Sequence, residues 1–267
     1  MLEGKSLAVI GVGTMGNALI RGLRSRLPGI DVLGTVKHPA SRARVQALDI
    51  PLADSNAEAV AGRDVVVLAV KPQVVQAVLK ELRGKIDPGT VVITIAAGVT
   101  TAAVEAGLGG RVAVVRVMPN TPCVVGAGMS VLTAGSYASE ADMTLARSLF
   151  DLIGRTAILE EGLMDAVTGL SGSGPAYIYL VIESLAEAGV KVGIPREAST
   201  LLAAQTVLGS ARMVLEEGAH PALLKDAVTT PAGCTVDGLM ELEEGKLRVT
   251  LLKAVVRATE RSRELAP

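Results

Sequence analysis

Leu7-Ala8-Val9-Ile10-Gly11-Val12-Gly13-Thr14-Met15-Gly16 is a short apolar run that stops at glycines spaced G-x-G-x-x-G and passes directly into a helical pattern from Met15 to Arg26. A strand, a glycine turn and a helix in that succession open a βαβ unit that holds a dinucleotide. The three glycines serve different ends, since Gly11 permits the tight turn, Gly13 lets the backbone approach a pyrophosphate, and Gly16 lets helix and strand pack closely. Thr14 and Met15 begin the helix, whose first N–H groups and positive dipole end face an anion. A chance glycine-rich turn is the competing reading, and the residues downstream weigh against it.

Downstream, apolar β-branched runs alternate with helical stretches: strands over Asp31 to Val36, Asp64 to Val70, Val91 to Ile95 and Val112 to Val117, helices over Ala40 to Leu48, Gln73 to Leu82 and a short one after Thr100. Continuously apolar strands separated by helices predict a parallel sheet covered on both faces, a doubly wound Rossmann domain of the α/β class. Two further strands, Met129 to Thr133 and Thr156 to Leu159, flank a helix from Ser139 to Ile153. Beyond Glu161-Gly162 the β pattern ends, and helices are expected over Ala176 to Lys191, Arg196 to Glu217, Leu223 to Ala227, Val236 to Glu244 and Leu247 to Glu264. The division is therefore read as 1–162, NAD(P)-binding, and 163–267, an all-helical substrate-binding and dimerisation domain.

Composition narrows the partners. Lys+Arg at 26 against Asp+Glu at 27 gives a net charge of -1, without the basic excess that neutralising a nucleic-acid backbone requires. Mean hydropathy is high at +0.46, yet the longest uncharged stretch, Val117 to Ser139, is interrupted by Pro119 and Pro122, so no membrane span is read. The start lacks a basic segment followed by an apolar one, and no export signal is expected. Cys123 and Cys234, with only His38 and His220, cannot form a four-ligand metal site of the usual kind, and a cytoplasmic setting with reduced thiols is expected. Tyr177 to Val190 is apolar almost all round, and the next helix carries small contact residues such as Ala203, Ala204 and Gly209. Such helices must be buried on every side, which predicts a homo-oligomer interlocked through the C-terminal helices.

The end of the second strand indicates which dinucleotide is bound. NAD sites carry an acidic residue there for the ribose hydroxyls, whereas this chain has Thr35-Val36-Lys37-His38, with Arg42 and Arg44 next. A cation in that place favours a 2′-phosphate, hence NADPH, with NADH still open and a merely solvated Lys37 as the alternative. Asn56, Ala69, Val70, Lys71, Pro72, Ala97 and Asn120 fall at the carboxyl ends of strands or in neighbouring loops, where such sheets bind ligands. Lys71 is open to both cofactor contact and solvation.

In the helical half the informative segment is Thr229-Thr230-Pro231-Ala232-Gly233-Cys234-Thr235. A hydroxyl-rich turn at a helix N-terminus suits a carboxylate without an arginine; an ordinary N-cap by Thr235 is the plainer alternative. No lysine occurs between Lys85 and Lys191, and His220 before Pro221 reads as a surface cap, so the acid or base that ketone chemistry needs is missing. An imine fits better, because its protonated nitrogen is already the electrophile and a threonine hydroxyl need only orient it.

With these residues in view the chain resembles the pyrroline-5-carboxylate reductases. The resemblance runs through Gly11 to Gly16, Val70-Lys71-Pro72, Ala96-Ala97-Gly98-Val99, Met118-Pro119-Asn120-Thr121-Pro122, Gly169 to Tyr177, His220-Pro221, Leu224-Lys225-Asp226 and Thr229 to Thr235. It implies NADPH-dependent reduction of 1-pyrroline-5-carboxylate to L-proline, the final step of proline biosynthesis, by hydride transfer to the imine carbon. By position it implies that Thr230, Gly233, Cys234 and Thr235 hold the substrate carboxylate, with Thr235 also near the ring nitrogen as the catalytic group. It further implies an intertwined dimer, often assembled into a decamer. Where the family commonly has Ser-Pro-Gly-Gly this chain has Thr230-Pro231-Ala232-Gly233; a left-handed backbone at Ala232 would cost about 1 to 2 kcal/mol.

Two rivals are separable. The 3-hydroxy-acid dehydrogenases place a catalytic lysine on the first long helix of the second domain, and Gly174 to Val190 has none. A dinucleotide-binding sensor without turnover would leave the Thr229 to Thr235 segment unexplained. Gly4-Lys5-Ser6 mimics the end of a P-loop but lacks its upstream glycine, and Ser171 lacks the final glycine of a nucleophile elbow.

Overall fold

The computed structural model describes residues 2–37, 42, 45 and 50–265. The first segment forms β1 (Ser6–Ile10) and α1 (Thr14–Arg26), joined by the glycine turn. There follow β2 (Asp31–Thr35), α2 (Asn56–Val60), β3 (Val65–Leu68), α3 (Pro72–Leu82), β4 (Val91–Thr94), α4 (Thr101–Leu108) and β5 (Ala113–Met118). The helix expected over Ala40 to Leu48 lies outside the described residues except for Arg42 and Val45, as do His38 and Arg44.

With β6 (Gly128–Ala134) and β7 (Gly154–Ile158) these strands form one sheet of order β2-β1-β3-β4-β5-β6-β7, parallel from β2 to β5. Every residue of β3 and β4 is buried, as expected for strands covered on both faces. Alternation along β1 divides the core: Leu7 and Val9 pack with Leu19, Leu23 and Phe150 on one side, Ala8 and Ile10 with Leu79, Leu82 and Leu108 on the other. The chain leaves β1 for β2 in one direction and returns to β3 in the other, so the carboxyl ends of β1 and β3 bound the crevice where such sheets take ligands.

The strands expected to be parallel are so, and the further strand β6 (Gly128–Ala134) pairs antiparallel with β5. The link between them holds only a 3₁₀ turn, Thr121–Val125, and a parallel return needs a crossover of roughly a dozen residues or more. A helical crossover, α5 (Glu140–Phe150), does lie between β6 and β7 (Gly154–Ile158), and these are parallel. Ser139 and Asp142 cap α5 reciprocally.

The chain divides into two compact units, Met1–Ser173 with Arg257–Pro267, and Gly174–Val256. The β pattern stops near Glu161-Gly162 as read from sequence, but the first unit runs on to Ser173. Met164 and Val167 of α6 (Met164–Val167) bury against Val131. Glu161 accepts from the Thr101 N–H at 2.8 Å and the Thr101 hydroxyl at 2.7 Å and pairs with the buried Arg116 at 3.1 Å. A π-helical turn, Thr168–Gly172, closes the unit.

The second unit is helical: α7 (Gly174–Lys191), α8 (Arg196–Glu217), α9 (Pro221–Val228), α10 (Cys234–Glu244) and the start of α11 (Leu247–Leu265). Helices α7 and α8 pack on each other, with the buried Ser199 hydroxyl donating to the Ala186 carbonyl at 2.6 Å. Among the described residues no helix is long and apolar enough to cross a membrane.

Candidate functional site

The glycine turn bears out the backbone and packing demands on Gly11 and Gly16. Gly11 has φ +87, and a Cβ there would lie 2.6 Å from Val70 Cγ1, so both backbone and space demand glycine. At Gly16 a Cβ would meet the Gly11 carbonyl at 3.1 Å and Val9 Cγ1 at 3.2 Å, which is the close approach of α1 to β1. At Gly13 a Cβ would meet nothing within 4 Å. Gly13 is the N-cap of α1 and provides no side-chain cap, so the first N–H groups of that helix, at Thr14 and Met15, are left for an anion.

Beside this turn lies a cavity of about 400 Å³ that brings together Gly11, Thr35, Lys37, Asn56 and Val70. A hydrogen-bond relay lines it. The Gly11 N–H donates to both Thr35 O and Thr35 Oγ1 at 3.2 Å, the Thr35 hydroxyl donates to Asn56 Oδ1 at 2.8 Å, and Asn56 Nδ2 donates to Glu81 Oε2 at 2.8 Å. Among the described residues the charged side chains in the lining are Lys37, Asp54 and Glu81, and Asp54 is paired with Arg42 at 3.1 Å.

Other expected residues do not line this cavity. Ala69 presents its carbonyl and Cβ to the glycine turn, and Lys71 and Pro72 are the N-cap and first residue of α3. Ala97 lies in the loop after β4. Asn120 uses its side chain inside the first unit: Nδ2 donates to the Ser171 carbonyl at 3.1 Å, and Oδ1 accepts from the Met129 N–H at 2.8 Å. Sequence reading missed Glu81, because the buried positions of α3 are Val75, Val78, Leu79 and Leu82, and a glutamate off that stripe looks like a solvated residue.

In the second unit His220 caps α9, Nδ1 accepting from the Ala222 N–H at 3.2 Å, which is the surface role expected of it. After α9 the Gly233 N–H donates back to Thr230 O at 3.0 Å, closing a turn with Pro231 and Ala232 at its centre. Ala232 has φ +56, the conformation that a Pro-Gly turn adopts without strain and that alanine resists. Gly233 is the N-cap of α10, and a Cβ there would strike the Thr230 hydroxyl, so glycine is required by space as well.

Because Gly233 is the cap, Thr235 is the second residue of the helix and its hydroxyl does not cap it. The Gly233 N–H is engaged in the turn, and the Cys234 and Thr235 N–H groups are the donors that begin α10 without an intrahelical partner. Together with the Thr230 and Thr235 hydroxyls they form an uncharged set suited to a carboxylate. The two thiols differ sharply: Cys123 is buried, which raises its pKa, and Cys234 is exposed.

The chain is similar to known proteins in both halves. Residues 161–265 match the family described as pyrroline-5-carboxylate reductase dimerisation, and residues 6–98 match that described as NADP oxidoreductase, coenzyme F420-dependent. The chain is 42% identical to the pyrroline-5-carboxylate reductase of Arabidopsis thaliana, over 99% of this chain and 96% of the relative. A solved pyrroline-5-carboxylate reductase from Coxiella burnetii has a TM-score of 0.91 at 35% identity, covering 98% of this chain and 99% of that one. The pyrroline carboxylate reductase of Plasmodium falciparum, solved with NADP bound, has a TM-score of 0.88 at 32% identity and covers 100% of both chains.

Proposed function

The chain belongs to the pyrroline-5-carboxylate reductase family, and we propose that it reduces 1-pyrroline-5-carboxylate to L-proline with NADPH, the final step of proline biosynthesis. The observation that carries this reading is a likeness extending over 99% of the chain, so that it spans both the glycine turn and the Thr230–Thr235 loop.

The residues present fit a dinucleotide: the open space at Gly13, the uncapped start of α1 and the cavity beside Thr35 and Asn56 accommodate a pyrophosphate and an adenosine. When bound there, the dinucleotide supplies the hydride that the imine carbon receives. Gly11, Gly13, Thr14, Met15 and Gly16 form the pyrophosphate turn, Thr35, Lys37 and Asn56 the adenosine end, and Ala69 to Pro72, Ala97 and Asn120 the loops bordering it.

On the second unit, the Cys234 and Thr235 N–H groups and the Thr230 hydroxyl hold the substrate carboxylate, with Gly233 leaving room for the Thr230 side chain. The Thr235 hydroxyl orients the ring nitrogen, which is already protonated, so no lysine or histidine acid is needed. As a functional division we propose 1–162 for the cofactor and 163–267 for substrate and dimerisation, in the cytoplasm. Homo-oligomerisation through the C-terminal helices is supported by the dimerisation match over 161–265 and by exposed Leu201, Leu202 and Leu252. The test is the loss of NADPH absorbance at 340 nm on adding 1-pyrroline-5-carboxylate to the purified protein, with NADH run in parallel. Rapid substrate-dependent loss is expected; none with either cofactor overturns the substrate assignment.

A further inference from the structure

The end of β2 lacks the acidic residue that reads a ribose hydroxyl, and Lys37 stands there instead. The fold nevertheless returns a carboxylate to the same cavity from another element. Glu81, on the last turn of α3, lines the cavity together with Lys37 and is joined to the end of β2 by the relay through Asn56 and Thr35. The polarity of that relay is determined: the Thr35 hydroxyl gives its single proton to Asn56 Oδ1, so the Asn56 NH₂ group faces Glu81 and keeps one proton for a ligand. Glu81 Oε1 has no hydrogen-bond partner among the described residues, and Glu81 is in no ion pair among them.

Its position also runs against local preference. The last turn of a helix carries the negative end of the macrodipole, where a carboxylate is disfavoured. Glu81 thus brings a negative charge, and Lys37 a positive one, to the lining of the same cavity. Asp54 adds little to this balance, being exposed and paired with Arg42.

We propose that Glu81 is a specificity-determining residue for the dinucleotide: it accepts hydrogen bonds from the adenosine end of the cofactor and repels a 2′-phosphate, opposing Lys37 and keeping NADH usable. The inference rests on the dinucleotide reading given above. It makes the cofactor preference a contest between two side chains on different elements, and either one shifts it when changed.

The experiment is calorimetric titration of the full-length protein and its Glu81→Gln variant with adenosine 2′,5′-bisphosphate and with 5′-AMP, at low and at high ionic strength. Glutamine keeps an acceptor for Asn56 and removes only the charge. The preference for the 2′-phosphorylated fragment is expected to rise about three- to tenfold in the variant at low salt, and less at high salt, where charges are screened. Lys37→Ala is expected to move the same ratio the other way. An unchanged ratio, or equal weakening of both fragments, would mean that Glu81 only holds Asn56 and would overturn the proposal. If neither fragment binds the unaltered protein, the dinucleotide reading itself falls, and this inference with it.

Discussion

The two compact units bury their apolar residues to very different degrees. In the first, β1, β3 and β4 and the facing sides of α1, α3 and α4 form two continuous clusters, with Leu7, Leu19, Leu79 and Ile93 essentially inaccessible. In the second, Ala186 and Ala203 are the buried hydrophobic residues among those described, while Leu180, Leu201, Leu202, Leu208, Leu252 and Val256 are exposed. A sheet covered by helices on both faces closes its own core. A few helices apolar on several sides cannot, and their apolar side chains stay exposed. The first unit thus closes a core on its own contacts, and the second leaves most of its large apolar side chains exposed.

The largest effect should come from attacking that asymmetry. Leu201→Asp combined with Leu252→Asp would bury unpaired charge at the proposed interface, at a cost of about 3 kcal/mol or more. Sedimentation velocity should then show monomers where the unaltered protein shows oligomers; unchanged sedimentation would remove the second copy from the account. Within the first unit, two glycines should separate folding from binding. Gly11→Ala combines a left-handed alanine with a clash on Val70 and should lower stability by about 2 to 5 kcal/mol in a denaturant titration. Gly13→Ala should leave the unfolding midpoint in place and weaken the dinucleotide by roughly five- to a hundredfold, measured by fluorescence titration.

The loop of the second unit provides finer tests. Thr235→Ala removes a hydroxyl that does not cap its helix, so kcat/KM for the imine should fall about ten- to a hundredfold with stability and NADPH affinity unchanged. Ala232→Gly relieves the positive φ at the cost of a more flexible unfolded chain, for a net gain of about 0.5 to 1 kcal/mol in chemical denaturation. The smallest effect belongs to Asp64 in the first unit, whose pKa is lowered to about 2 by its pairing with Lys5 at 2.7 Å and by the Ser6 N–H and hydroxyl. A depressed carboxylate contributes stability above its unfolded pKa and loses it as the pH falls through the folded value. Asp64→Asn should therefore be slightly less stable than the parent at neutral pH, with the difference shrinking from about pH 4 and gone near pH 2.

How much of this was legible depends on whether the signal was local. The glycine turn, each strand of the parallel sheet and the helices after Gly174 follow from patterns within a few residues, and they lie within a residue or two of where periodicity places them. The strain at Ala232 was signalled as well, because alanine stands where the resembled family commonly has glycine, and its φ is positive. The reversal of β6 was less plain: the short, Pro-broken link after Met118 is visible, but only the pairing with β5 turns it into an antiparallel strand. Asn120, expected among the cofactor residues from its loop, also ties Ser171 to the start of β6, which its loop position did not reveal.

The sequence by itself determined the order of strands and helices along the chain, the glycine turn and the Thr230–Thr235 loop, since each is signalled by a contiguous run of residues. The tertiary structure decided how residues far apart in the chain act as one group. Glu81 enters the same cavity as Thr35 and Lys37 only because α3 follows β3 across the switch point, and Glu161 seals the first unit only because β5 brings Arg116 beneath it. Spacing along the chain carries no trace of such meetings, because they depend on the order of strands in the sheet and not on any local propensity.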